Sequence, residues 1–191
     1  MSRPAVFLDR DGTINHDTGY LSLASQFELL PNAAAAIRAI NLADYHVIVV
    51  TNQSAVARGK CTLAQLQHVH EEMTRQLGKL GAFLDDIRFC PHHPDRNIDG
   101  IDEFLVDCDC RKPKPGMIID AARQIHVDLR RSWLVGDTTV DIMTAKNAGI
   151  RSILVGTGYG GSDARYDVKP DHTCPQLRDA VAIILGQDKR I

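Results

Sequence analysis

Residues 5–13 read Ala5-Val6-Phe7-Leu8-Asp9-Arg10-Asp11-Gly12-Thr13, and the abrupt change of character at Asp9 decides the fold. Four apolar residues give way at once to two acids, a glycine and a threonine. A short apolar run bounded by turn residues reads as a buried strand, so 5–8 is predicted as a strand whose carboxyl end delivers Asp9 and Asp11. The pattern recurs along the chain. Residues 46–50 (HVIVV) run into Thr51-Asn52, 87–90 into Pro91-His92, 133–135 into Gly136-Asp137, and 152–155 into Gly156. Helical periods fill the gaps at 32–43, 62–80, 115–125 and 139–147, with a last one near 175–185. Pro115 stands at a first helical position, and Gly149 lies just past the end of the fourth helix.

Strands alternating with helices predict an α/β fold. The expected form is a Rossmann-like three-layer sandwich with a central, mainly parallel sheet. The 191 residues are enough to bury a core without staples. One domain spanning 1–191 is expected, for no repeat, low-complexity stretch or linker interrupts it. The composition, 44% apolar and 24% charged with a net charge of -2, is that of a soluble globular protein. It offers no basic footprint for nucleic acid or an anionic membrane. Ala5–Leu8 is too short for the apolar core of a signal peptide, and no run of about 18 apolar residues is present. A cytoplasmic monomer is expected. Five cysteines, an odd count, argue against a disulfide framework.

In open α/β sheets, ligands bind beyond the carboxyl ends of the strands, so the polar clusters are predicted to converge. Asp9 and Asp11, two residues apart with Gly12 to permit a bend, can face one pocket. Their mutual repulsion calls for a divalent cation or a shared proton. Either arrangement suits phosphoryl transfer, in which one carboxylate attacks phosphorus and the other protonates the leaving oxygen. The alternative is an ordinary turn, where Asp and Gly are common. Asp137 and Asp141 form a second acidic pair after a strand. Hard Mg²⁺ needs few protein carboxylates, and Asp9, Asp137 and the backbone carbonyl of Asp11 would supply its oxygens. Asp141 either orients that loop or favours the start of the helix it opens. Thr51, Asn52, Gln53 and Ser54 offer hydroxyl and amide donors. Arg111-Lys112-Pro113-Lys114-Pro115 is a cationic, rigid loop before a helix N-terminus, suited to an anion unless it is merely solvated.

A separate cluster carries softer ligands. Cys90-Pro91-His92-His93 and Cys108-Asp109-Cys110 supply the number and type of donors that structural Zn²⁺ prefers. The predicted set is Cys90, His92, Cys108 and Cys110, with His93 competing for the imidazole place. Such a site would staple the otherwise unpatterned loop at about 90–110 and hold Arg111 and Lys112 near Asp9. The alternative is two turns with buried thiols. Cys61 and Cys174 read as small buried residues.

The ordered set D-x-D-G-T, a Thr after the second strand, a Lys before a helix and G-D-x-x-x-D resembles the haloacid dehalogenase superfamily of phosphatases. That resemblance implies Asp9 as nucleophile, Asp11 as general acid/base, Thr51 and Lys112 as phosphoryl stabilisers, and Mg²⁺ completed by Asp137. The narrower arrangement C-P-H-H-P…C-D-C-R-K-P-x-P-G-M, with G-Y and T-N-Q-S-x-x-A-R-G-K, is similar to the heptose bisphosphate phosphatases. It implies a minimal cap and a small phosphorylated sugar from surface-glycan or lipopolysaccharide precursor synthesis as substrate. By the same resemblance Asp17, Thr18, Gly19, Tyr20 and the segment Thr51 to Ser54 line the substrate, with Arg111 on the retained phosphate or the sugar and Lys112 on the leaving phosphoryl group. Some members carry Lys where this chain has Thr138, a departure that bears on recognition of the second phosphate or on anomer preference. Histidinol-phosphate phosphatase shares the zinc loop and is the nearest alternative. A phosphotransferase and a zinc-stapled binding protein without turnover are the other classes.

Overall fold

The computed structural model describes residues 2–188. Six strands form one sheet: β1 Ala5–Leu8, β2 His46–Asn52, β3 Asp86–Cys90, β4 Trp133–Gly136, β5 Arg151–Val155 and β6 His172–Cys174. Their order is β3-β2-β1-β4-β5-β6, and every pairing is parallel. The sheet is thus wholly rather than mainly parallel. The sequence predicts five strands, and the sixth, β6, was missed. It is three residues long, pairs only with β5 at the sheet edge, and has the polar sequence His-Thr-Cys, so no apolar run marks it.

Five helices pack on the two faces: α1 Ala33–Leu42, α2 Leu63–Lys79, α3 Gly116–Ile125, α4 Thr139–Ala148 and α5 Leu177–Asp188. Strand alternation assigns them. Val6, Leu8, Val47, Val49, Trp133 and Val135 share a core with the buried faces of α1, α2 and α5. Ala5, Phe7, Ile48, Val50 and Leu134 share the other with Met117, Ile118 and Ala121 of α3 and Ala145 of α4. The predicted three-layer sandwich is the observed one. Along α2, Leu66, Val69, Met73 and Leu77 are buried, the spacing of an apolar stripe. Each such side chain contributes roughly 1.5–3 kcal/mol, and Met73→Asp would break the stripe at its centre. Thr62 caps α2 by accepting from the Gln65 amide at 3.1 Å, while the Gln65 side chain accepts from the Thr62 amide at 2.8 Å, a reciprocal box.

Pro115 is not the first helical residue of α3 but its N-cap, at φ -86 and ψ 8, with Gly116 opening the helix. The Pro115 carbonyl accepts from the Ile119 amide at 3.0 Å, and the Asp109 backbone carbonyl lies where a side chain at Gly116 would go, so that position takes a glycine. Gly149 closes α4 in the left-handed region as predicted. Connections carry only three-residue 3-10 turns at Ala24–Gln26, Asp102–Phe104 and Leu129–Arg131, so the described residues contain no cap domain. None of the described helices is long and apolar enough to cross a membrane.

The strand order reverses between β1 and β4, and both are central. Crevices in such sheets open at the carboxyl ends of strands flanking that reversal. Asp9 follows β1 and Asp137 follows β4, and the Asp9 amide donates to the Val135 carbonyl at 2.9 Å. Topology therefore places the two acids side by side.

Candidate active site

A cleft of about 400 Å³ opens at this point. Its floor is the pair Asp9 and Asp137, 9% and 0% exposed. Burial pushes the Asp9 carboxyl up to about 6, against the pull of Lys112. Burial, then the Asp9 charge, pushes Asp137 up to about 8. One Asp137 oxygen accepts from the Tyr159 amide at 2.8 Å; the other is buried without a hydrogen-bond partner. An orphaned carboxylate oxygen facing a second buried acid is what a divalent cation would satisfy. Asp9, Asp137 and Asp141 also present oxygens within 4.8 Å of one another. Two glycines crowd Asp137. Gly12 (φ +77) and Gly158 (φ +57) both adopt left-handed backbone, and a methyl on either would overlap the Asp137 carboxylate. Gly12 thus serves the bend its sequence position predicts and also the close approach of the acid.

Lys112 binds Asp9 at 2.8 Å and Asp141 at 2.6 Å. Burial alone would lower its pKa, but Asp141 and Asp9 hold it above the ordinary value, so it stays charged. The Asp141 alternatives both hold: it bonds Lys112 with Oδ1 and closes the α4 capping box with Thr138 through Oδ2. The cationic loop is tied to β2 by Asn52, whose Oδ1 accepts from the Lys112 amide at 3.0 Å and whose Nδ2 donates to the Lys112 carbonyl at 3.1 Å. A solvated basic loop would have neither anchor.

Asp11 lines the same cleft, but its carboxylate is folded onto Arg10. The fully buried Arg10 guanidinium reaches Asp11 at 2.7 and 2.9 Å through Nη2 and at 3.1 Å through Nε. Gln53 and Asn15 donate to it at 2.8 and 2.9 Å. Gln53 therefore orients Asp11, and its Oε1 accepts from Arg10 at 3.0 Å. Behind Arg10 lies His70, buried, with Nε2 3.3 Å from Nη1. An arginine only donates, so Nε2 is the acceptor and the His70 proton sits on Nδ1. Burial, then Arg10, lowers His70 to about 4. Arg10, Asn15 and His70 were not singled out by sequence. Arg10 and Asn15 flank a motif that draws attention to its acids, and His70 is a helix residue whose neighbour is 60 positions away.

Cys90, His92, Cys108 and Cys110 come together with all four ligand atoms within 4.8 Å. Their Sγ–Sγ separations of 3.5 and 3.2 Å are close to the edge of about 3.8 Å in a tetrahedron with Zn–S of about 2.3 Å. Hydrogen bonding from Cys90 is the first cause lowering Cys110 to about 5, while the Cys90 thiol is pushed up. This is a donor set suited to a thiophilic cation. His93 is outside it: Nε2 lies 3.2 Å from Arg58, and Nδ1 accepts from the Asp95 amide. Arg111 donates to the His92 carbonyl at 2.9 Å, which links the cluster to the cleft. Cys61 and Cys174 are buried as expected.

Of the segment expected to line the substrate, Asp17, Gly19 and Tyr20 reach the cleft, as do Thr51 to Ser54, Arg111 and Thr138. Thr18 does not. Asp17 accepts from the Gly19 amide at 2.8 Å, a tight turn that leaves Thr18 exposed at its apex. The Thr138 hydroxyl is committed to Asp141. Tyr159, Asp163 and Arg165, from the loop after β5, also line the cleft. Sequence reading missed them because that loop lacks a dense motif.

Residues 109–180 match the HAD-hydrolase-like family model. The chain is 45% identical to the D-glycero-beta-D-manno-heptose-1,7-bisphosphate 7-phosphatase of Rhodopseudomonas palustris, over 87% of this chain and 89% of that one. It is 45% identical to the enzyme of the same name from Salmonella typhi, over 98% of both. Among solved structures, it is similar to the D,D-heptose 1.7-bisphosphate phosphatase from B. bronchiseptica complexed with magnesium and phosphate. The TM-score is 0.84 at 35% identity, covering 96% of this chain and 99% of that one.

Proposed function

Because this chain belongs to the family of D-glycero-beta-D-manno-heptose-1,7-bisphosphate 7-phosphatases, we propose that it removes the C7 phosphate of that sugar bisphosphate through an aspartyl-phosphate on Asp9. That the protein is a phosphatase follows from the family; the mechanism rests on the site. The single observation that carries it is the buried Lys112 bridging Asp9 and Asp141 beside the orphaned Asp137 oxygen. This arrangement brings cationic charge to a carboxylate that must attack a dianion.

In the first step an Asp9 oxygen attacks phosphorus, the bond to the sugar oxygen breaks, and Asp11 gives that oxygen its proton. In the second step Asp11 takes a proton from water, whose oxygen attacks phosphorus and restores Asp9. Lys112 offsets charge on Asp9 and on the phosphoryl oxygens. Thr51, with its hydroxyl accepting from Gln53 at 2.8 Å, is positioned to donate to the phosphoryl group. Gln53, Asn15 and Arg10 hold Asp11 between the two roles. Mg²⁺, held by Asp9, Asp137 and the Asp11 carbonyl, would neutralise charge in transfer. The magnesium and phosphate of the B. bronchiseptica structure support that reading.

Zn²⁺ at Cys90, His92, Cys108 and Cys110 would be structural, since four protein ligands leave no open position. Its place is to fix Arg111 and Lys112 within a single phosphatase domain. The test compares Asp9→Asn and Asp11→Asn with wild type on the heptose bisphosphate and on histidinol phosphate. Mg²⁺-dependent turnover should be lost in the first and fall at least about 100-fold in the second. Unchanged turnover in both would overturn the mechanism, and equal, feeble wild-type rates on the two substrates would overturn the sugar assignment.

A further inference from the structure

We propose that Arg165 is a specificity residue that, with Arg111, binds the second phosphate of the sugar bisphosphate, the one not transferred to Asp9. The proposal rests on the bisphosphate reading above and adds a residue from a loop outside the phosphatase motifs. Three cations line the cleft: Arg111, Lys112 and Arg165. Lys112 is consumed by Asp9 and Asp141 at the reacting end. Arg111 uses one N–H on the His92 carbonyl and keeps the rest of its fork for a ligand. The Arg165 guanidinium has no ion pair or hydrogen bond among the described residues.

Its backbone, by contrast, is fixed. The Thr139 hydroxyl accepts from the Arg165 and Tyr166 amides at 3.1 and 3.2 Å and donates to Asp163 at 2.6 Å. Asp163 also accepts from the Thr139 amide at 2.7 Å. Ala164, just before Arg165, is held at φ +44, a conformation that L residues rarely adopt and that persists where surrounding bonds impose it. The segment is thus clamped to the first turn of α4, beside Thr138 on the cleft wall. Thr138 brings no charge, and its hydroxyl is taken by Asp141. Arg165 brings positive charge to that wall.

Arg111 and Arg165 line the same cleft. Two guanidiniums on the wall of one cleft favour a bound dianion. A cleft of about 400 Å³ suits a ligand with a phosphate at each end. Asp163 turns both of its oxygens to the Thr139 amide and hydroxyl, and neither pairs with Arg165.

The test measures kcat and KM for the heptose 1,7-bisphosphate and for the heptose 7-phosphate, which lacks the second phosphate. Wild type, Arg165→Ala and Arg165→Lys are compared. A remote phosphate contact acts chiefly as uniform binding. KM for the bisphosphate should therefore rise about tenfold or more in Arg165→Ala, with kcat much less affected. The preference for bisphosphate over monophosphate should fall by a similar factor, and Arg165→Lys should recover part of it. A selective wild type with an equally selective Arg165→Ala would overturn the role of Arg165 alone. A wild type indifferent to the second phosphate would overturn the bisphosphate reading and this proposal with it.

Discussion

Replacing Asp137 by Asn should stabilise the Mg²⁺-free protein while abolishing its turnover. Asp137 is fully buried, one oxygen has no partner, and burial with the nearby Asp9 raises its pKa from 3.8 to about 8. A carboxyl raised on folding opposes the fold wherever it is ionised in the unfolded chain. The effect is absent below pH 3.8, grows as pH climbs from 3.8 towards 8, and is constant above. At pH 7 the unfolded group lies some three pH units past its pKa, worth about 4 kcal/mol at most. Asn cannot ionise and keeps an oxygen for the Tyr159 amide, so a gain of about 2–4 kcal/mol is expected. Urea unfolding without added Mg²⁺, and without chelator so that the thiol cluster is undisturbed, measures it. The variant midpoint should lie higher at pH 7 with the same slope, and the difference should shrink towards zero near pH 4. Mg²⁺ should then raise the midpoint of wild type but not of the variant. A variant less stable than wild type at pH 7 without Mg²⁺, or a gain of equal size at both pH values, would refute the reasoning.

His70 supplies a prediction of opposite sign. Its pKa falls from 6.5 to about 4 in the fold, so its stabilising contribution is complete above pH 6.5 and is lost as pH drops towards 4. The loss reaches about 3 kcal/mol. His70→Gln retains an acceptor for Arg10 and should flatten thermal stability between pH 6.5 and 4; superimposable wild-type and variant profiles would count against the neutral buried imidazole. Cys110→Ser removes one of four soft ligands. Metal analysis should show about one zinc per chain in wild type and well under one in the variant, and the melting temperature of the variant should be lower by several degrees. Full zinc content in the variant would exclude the four-ligand set.

Much of this architecture was legible in the chain because burial and turn chemistry are local signals. The central strands β1, β2 and β4 are buried and read as apolar runs, while β3 and β5 show shorter apolar stretches interrupted or preceded by polar residues. The edge strand β6 has neither property and was invisible. The acids Asp9, Asp11 and Asp137 announced themselves by sitting next to strand ends. The Cys-x-His and Cys-x-Cys pairs did so by ligand spacing, and in the structure His92 joins the three thiols while His93 turns towards Arg58.

Neighbouring residues thus encode the alternation of strands and helices, the motif acids, the cationic loop and the Cys/His pairs that cluster in the fold. Only the tertiary structure decided how their charges are shared. It gave Lys112 to both Asp9 and Asp141, folded Asp11 onto Arg10 with His70 behind, and carried Arg165 to the cleft mouth on a clamp from Thr139. Those pairings join positions 26 to 103 residues apart, apart from the adjacent Arg10 and Asp11. Electrostatic and hydrogen-bond energies depend on separation in space and on exclusion of water, and neither is fixed until the sheet has brought the strand ends together.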